Sequence, residues 1–82
     1  RGGIKKKLYR ILLPDISKEN IPASLPCPVH SIHRVGELRA LAFDHTESCY
    51  GMALLPIETV IAGSPLRLEN GAPLTVLEAC HA

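Results

Sequence analysis

The chain reads as an all-β or β-rich single domain: five or six short strands in a barrel-like or strongly twisted antiparallel sheet, with a C-terminal hairpin. Three observations carry this reading. The turn Glu69-Asn70-Gly71 separates two apolar runs, Pro65 to Leu68 and Ala72 to Leu77. Short apolar segments recur along the chain between Pro, Gly and Asp punctuation. Aromatic residues are few (Tyr9, Phe43 and Tyr50, with no Trp), so the interior is built from Leu, Ile, Val and Ala.

Lys5 to Leu13 is the first predicted strand. Tyr9, Ile11 and Leu13 fall on one face, with Leu8 and Leu12 flanking Arg10 on the other. Apolar residues on both faces indicate a central strand, or an oligomer covering the second face. Pro14 ends it, and Asp15 to Asn20 reads as a loop. Pro22, Pro26 and Pro28 make residues 21–28 an extended connector. Val29 to Val35 looks extended, and Gly36 precedes Glu37 to Phe43. Residues 37–43 are good helix formers, yet their shortness and the turn-like Asp44 to Ser48 favour a strand. The alternative is an α+β fold with a short helix at 37–43. As a strand, Leu38, Ala40 and Ala42 oppose Arg39, Leu41 and Phe43. Cys49 to Leu55 is the next strand, stopped by Pro56. Ile57 to Ile61 is read as strand from its β-branched residues.

Register in the terminal hairpin follows from the hydrophobic pattern. A two-residue Asn-Gly loop would put Leu66 and Leu68 opposite in face to Leu74 and Val76. A three-residue loop with Gly71 in the left-handed position of a bulge places all four on one face. The second register is expected, with Pro73 marking an edge strand or a site beside the bulge. The strand count and turn signals resemble small closed or half-open barrels such as SH3-like and OB-like modules, by architecture alone.

Eighty-two residues form one domain spanning 1–82, small enough to bury only roughly 60–65% of its unfolded surface. Hydrophobic residues are 46% and charged residues 21%, an ordinary globular balance. That aliphatic richness leaves apolar area for a partner chain, and a second copy is the simplest supplier. The apolar stretch Ser48 to Ile57 is about half of what a bilayer span requires. Arg1 to Leu13 imitates a signal peptide, but Arg10 interrupts the apolar run and no small-residue cleavage site follows. The absence of an initiator Met reads as a processed, tagged or excised chain, with Arg1-Gly2-Gly3 a remnant or a disordered end. Cys27, Cys49 and Cys80 are odd in number and widely spaced, which fits reduced thiols in a cytoplasmic protein.

Four clusters carry chemistry. Lys5, Lys6, Lys7 and Arg10 could neutralise phosphates, although lysines also protect exposed strand ends and only Tyr9 lies near for base stacking. Cys27, His30 and His33 have zinc-ligand character, with His45, Cys49, Cys80 or His81 as a fourth ligand. Against this, no C-x₂-C knuckle is present, and the two histidines would point to opposite faces of a strand. The favoured reading is cofactor-free. His30, His33, His45, Asp44, Glu47 and Ser48 could supply acid–base groups, with Ser48-Cys49 beside His45 as a nucleophile. There is no phosphate-cradling glycine loop of either common type. Finally, Leu54 to Ile57 with Val60 and Ile61 could dock a protein, and the hairpin residues Leu66, Leu68, Leu74 and Val76 could form an interface by strand addition.

The expectation that follows is a non-enzymatic binding or assembly module, self-associating through a sheet edge and making no membrane contact. A nucleic-acid or polyanion binder is the first alternative. An enzyme whose His and Cys site is completed only between subunits is the second.

Overall fold

A computed structural model describes residues 5–14, 16, 21–22, 24–32, 34–46 and 48–80. Six antiparallel strands close into a barrel in the order β1-β4-β3-β2-β5-β6. These are β1 (Lys6–Leu13), β2 (Cys27–His30), β3 (Arg34–Phe43), β4 (Cys49–Pro56), β5 (Leu66–Leu68) and β6 (Pro73–Ala79), and among the described residues a short helix, α1 (Ile57–Ala62), lies between β4 and β5. Inward side chains from every strand fill the interior: Tyr9, Ile11 and Leu13 of β1, Val29, Leu38, Ala53, Leu55, Leu66, Leu68 and Leu74 are all buried. Among the described residues no charged side chain is buried with them, and Tyr9 carries the one hydroxyl.

β1 is central, as its two apolar faces require, lying between β4 and β6. Residues 37–43 are strand throughout, so the helical alternative is set aside. Here strand propensity was the weaker signal, and pairing on both sides (with β2 and β4) decides the conformation.

Several local expectations are corrected. The extended run at 29–35 breaks at Ser31-Ile32, where β2 turns back into β3, so Gly36 lies inside β3. A Cβ there would strike the Leu54 carbonyl oxygen, so the glycine permits the close approach of β4. A register shift between Leu38 and Ala40 also changes the faces of β3. Leu38 points inward, but beyond the bulge Leu41 and Phe43 pack on the core while Ala40 and Ala42 lie opposite the outward residues Met52 and Tyr50.

Ile57 to Ile61 is helix, not strand. Pro56 stands at its N-cap with φ −63°, and Gly63 closes it in the left-handed conformation at φ 72°. The Gly63 N–H donates to the Val60 carbonyl (3.1 Å) and the Ser64 N–H to that of Thr59 (3.4 Å). Pro before and Gly after is helix punctuation, and over six residues it overrides the β-branched preference.

The hairpin takes the bulged register. Gly71 has φ 91°, its N–H donates to the Leu68 carbonyl (2.9 Å), and the Leu68 N–H donates to that of Ala72 (2.8 Å). The Asn70 side chain accepts from the Ala72 N–H at 2.9 Å. Leu66 and Leu68 are buried beside Leu74, with Val76 packed against them. Pro73 does not mark an outer edge: β6 pairs with β1 and β5. By strand alternation its nitrogen faces the β1 side, beyond the end of β1 at Leu13, so no ladder bond is lost.

Candidate functional site

Strands β5 and β6 show the alternation expected of a sheet wetted on one side: Leu66, Leu68 and Leu74 are buried, Arg67, Pro73 and Thr75 exposed. The β1-β4-β3 side does not. Its outward positions are Leu8 and Leu12 on β1, Tyr50, Met52 and Leu54 on β4, and Ala40 and Ala42 on β3. The register aligns them in rows, Leu12–Tyr50–Ala42, Arg10–Met52–Ala40 and Leu8–Leu54–Glu37. Met52 is 39% exposed, Ala42 exposed, and Leu8, Leu12, Tyr50 and Leu54 half-buried. Between these strands lies a shallow apolar depression of about 270 Å³, bordered by Arg10, Ala40, Ala42, Tyr50, Met52 and Cys80.

Both rims of this face carry charge of both signs. Arg10 reaches Glu78 at 3.3 Å, while Glu37 accepts from Arg39 at 2.8 Å and lies 3.8 Å from Arg34. These pairs are exposed and contribute little to stability. Covering the exposed Met52 and the half-buried Leu8, Leu12 and Leu54 would contribute about 1 kcal/mol each, roughly half the value of a fully buried aliphatic side chain.

The anticipated interface residues of the hairpin are placed differently. Leu66, Leu68 and Leu74 are consumed by the chain's own core, and Val76 is partly covered. Of the second apolar candidate, Leu55 and Pro56 are buried, Leu54, Ile57 and Val60 half-buried, and Ile61 79% exposed.

Lys5, Lys6 and Lys7 are all exposed at the start of β1. Alternation sends Lys6 outward with Leu8 and Arg10, and Lys7 to the opposite side, so the three do not form one stripe.

Cys27 and His30 share β2, but their odd spacing sets them on opposite faces. Cys27 packs against the core, and His30 aligns with Arg67. His33 and His81 lie outside the described residues. Among the described residues no three His, Cys, Asp or Glu side chains come close enough to share a metal.

Asp44, one of the acid–base candidates, is engaged by its own turn. Its carboxylate accepts from the Thr46 hydroxyl (2.7 Å), the Thr46 N–H (2.9 Å) and the Ser48 N–H (3.0 Å). These donors, the Thr46 hydroxyl foremost, hold it below the usual carboxylate range. His45 is exposed beside it, and Glu47 lies outside the described residues.

Cys27 borders a cleft of about 360 Å³ with Pro22, Pro26, Pro28, Leu68 and Glu69. Burial, and then the Glu69 carboxylate, push its thiol above the ordinary 9.0. Burial alone raises Cys49. Since the thiolate is the nucleophile, iodoacetamide should alkylate Cys27 in the folded chain at pH 8 more slowly than in the denatured chain. Glu69→Gln should speed it, read by mass spectrometry; equal rates before and after denaturation would refute the assignment. The sign for stability follows. Both thiols keep their protons longer when folded, so stability is full below the unfolded value near 9.0. It falls as pH rises through that value toward the folded one, where the unfolded chain binds fewer protons.

No protein-family model, curated protein or solved structure matches this chain. Met52, Tyr50 and Ala40 were missed as site residues. The available signal was β4, where Tyr50, Met52 and Leu54 are apolar on the face opposite Cys49, Ala53 and Leu55.

Proposed function

We propose that this chain is a non-enzymatic binding and assembly module, docking through the outward β1-β4-β3 face with a second copy as its occupant. The single observation that carries the reading is the contiguous apolar exterior of these three strands, rows joined by pairing, where the exterior of β5 and β6 carries Leu77 as a lone exposed large aliphatic among Arg67, Thr75 and Glu78. Ring closure moves the contact from a hairpin edge to a barrel face, because strands paired on both sides offer little edge. A second copy suits the rims, since each carries both signs and can meet its counterpart charge to charge. Three free thiols fit a reducing compartment such as the cytoplasm.

Sedimentation velocity tests this. The expected result is a concentration-dependent shift to dimer mass, weakened at least tenfold by Met52→Lys. A monomer at high micromolar concentration, or association unchanged by Met52→Lys, would sink it.

A second reading, polyanion contact by Lys5, Lys6, Lys7 and Arg10, is supported by the exposure of the three contiguous lysines. Fluorescence anisotropy with a mixed-sequence DNA oligonucleotide should then show binding at low salt that weakens steeply by 0.2 M salt, roughly as the number of phosphates neutralised predicts. Binding unchanged after replacing Lys5, Lys6 and Lys7 by Ala would exclude it.

A further inference from the structure

The barrel is closed, yet its seam at β5 and β6 is short. β6 meets β5 only at Leu66↔Leu74 and Arg67↔Pro73, while on its other side it follows β1 as far as Tyr9↔Ala79. Past Leu74, no described strand pairs with the outer side of β6. The reason lies in the segment that leads into β5. The Gly63 and Ser64 N–H groups are used in capping α1, and Pro65 has no N–H to give. That segment therefore cannot extend the ladder along β6.

Alternation fixes which backbone groups face this gap. Residues 72 and 74 direct their N–H and C=O toward β5, so Val76 directs its own to the same side. The gap is a cleft of about 520 Å³ whose lining includes Tyr9, Val60, Leu66, Leu74, Val76 and Glu78. Its lining mixes apolar side chains with Ser64 and Thr75 and carries one charge, Glu78, whose tie to Arg10 is exposed at both ends and weak. Past Leu74 the edge runs regularly through Thr75 and Val76 before the bulge at Leu77, about 7 Å at ~3.4 Å per residue, enough for two or three residues of an added strand.

We propose that this cleft receives an extended peptide segment of a partner protein, which adds to β6 as a strand. Its backbone pairs with Val76, its alternate aliphatic side chains enter the recess floored by Leu66 and Leu74, and a basic residue at one end meets Glu78. Hydrogen-bond and charge complementarity define this occupant: a free strand edge accepts extended backbone, the aliphatic part of the lining accepts aliphatic side chains, and the single carboxylate selects a cation. The site lies on the other flank of β6 from the β1-β4-β3 face and shares with it only Glu78, paired there with Arg10, so Val76→Pro, which leaves that face untouched, separates it from self-association.

The test is selection of random nonapeptides displayed on phage against the full chain, followed by titration of the enriched sequence as a synthetic peptide. Expected are sequences alternating in aliphatic residues with a terminal Lys or Arg, and amide shifts confined to Ser64, Leu66 and residues 74–78. On saturation, hydrogen exchange at the Val76 amide should slow at least tenfold. Val76→Pro removes the donor facing the cleft while leaving the ladder to β1 intact, and should weaken binding at least tenfold with an unchanged circular dichroism spectrum. Should that variant not fold, Glu78→Lys decides, with an expected severalfold loss for the basic peptide. No enrichment, shifts elsewhere on the barrel, or undiminished affinity in the deciding variant would overturn the proposal. So would Val76 exchange that slows with protein concentration alone, which would assign the edge to a second copy.

Discussion

Leu38→Ala is expected to destabilise the barrel by about 2–5 kcal/mol, the range for deleting a buried leucine side chain when the site relaxes only partly. Leu38 is fully buried and sits opposite Ala53 between β3 and β4. It is also the last inward residue before the β3 bulge, so backbone collapse into the cavity would disturb the bulge itself. For a domain of this size the whole stability is of order 4–12 kcal/mol, at about 0.05–0.15 kcal/mol per residue. The substitution therefore removes a large share of it. Urea denaturation followed by circular dichroism checks this: the midpoint should fall sharply with an unchanged slope. An unfolding free energy within about 0.5 kcal/mol of the parent, the scale of surface substitutions, would show that Leu38 is not in the interior.

Gly51→Ala is expected to be comparably harmful for the opposite reason. A Cβ at Gly51 would collide with the Ala40 carbonyl oxygen, and would press on the Leu41 and Leu38 side chains. A flexible side chain can rotate away, but a paired carbonyl cannot, so β3 and β4 would have to separate where the register binds Gly51 to Leu41. Overpacking typically costs 1–3 kcal/mol, and a backbone collision lies at or above the top of that range. Gly36→Ala, facing the Leu54 carbonyl, should behave alike. By contrast, Ala42→Ser, on the exposed exterior, should move the melting temperature little. If Gly51→Ala melts within a degree or two of the parent, the close strand approach described here is wrong.

Much of this architecture is written in local chemistry. The hairpin register could be read from Leu66, Leu68, Leu74 and Val76 because only one loop length puts all four inside, and a one-residue slip would expose them. The inward set of β1 could be read for the same reason. Misreadings clustered where two local signals competed. At Ile57 to Ile61, β-branched propensity pointed to strand and the Pro56…Gly63 punctuation to helix, and the punctuation won. In β3, simple alternation assigned Leu38, Ala40 and Ala42 to one face, but the bulge shifts the pattern by one residue. Alternation within a single strand contains no information about the partner that forces such a bulge.

The candidate surfaces were less legible. Leu8 and Leu12 could be seen as a second apolar face on β1. That they join Tyr50, Met52, Leu54, Ala40 and Ala42 depends on which strands are neighbours.

Residue order alone determined that this chain forms short antiparallel strands around an aliphatic interior, ends in a hairpin bent at Gly71, and has an apolar surplus on its first strand. Those features arise from nearest neighbours: side-chain period, turn stereochemistry and proline. Ring closure, the burial of the hairpin leucines in the core, the gathering of one apolar exterior and the open flank of β6 past Leu74 were decided by tertiary structure. Each depends on pairing between segments far apart in the chain, such as β1 with β4 and β6, whose register no local window contains.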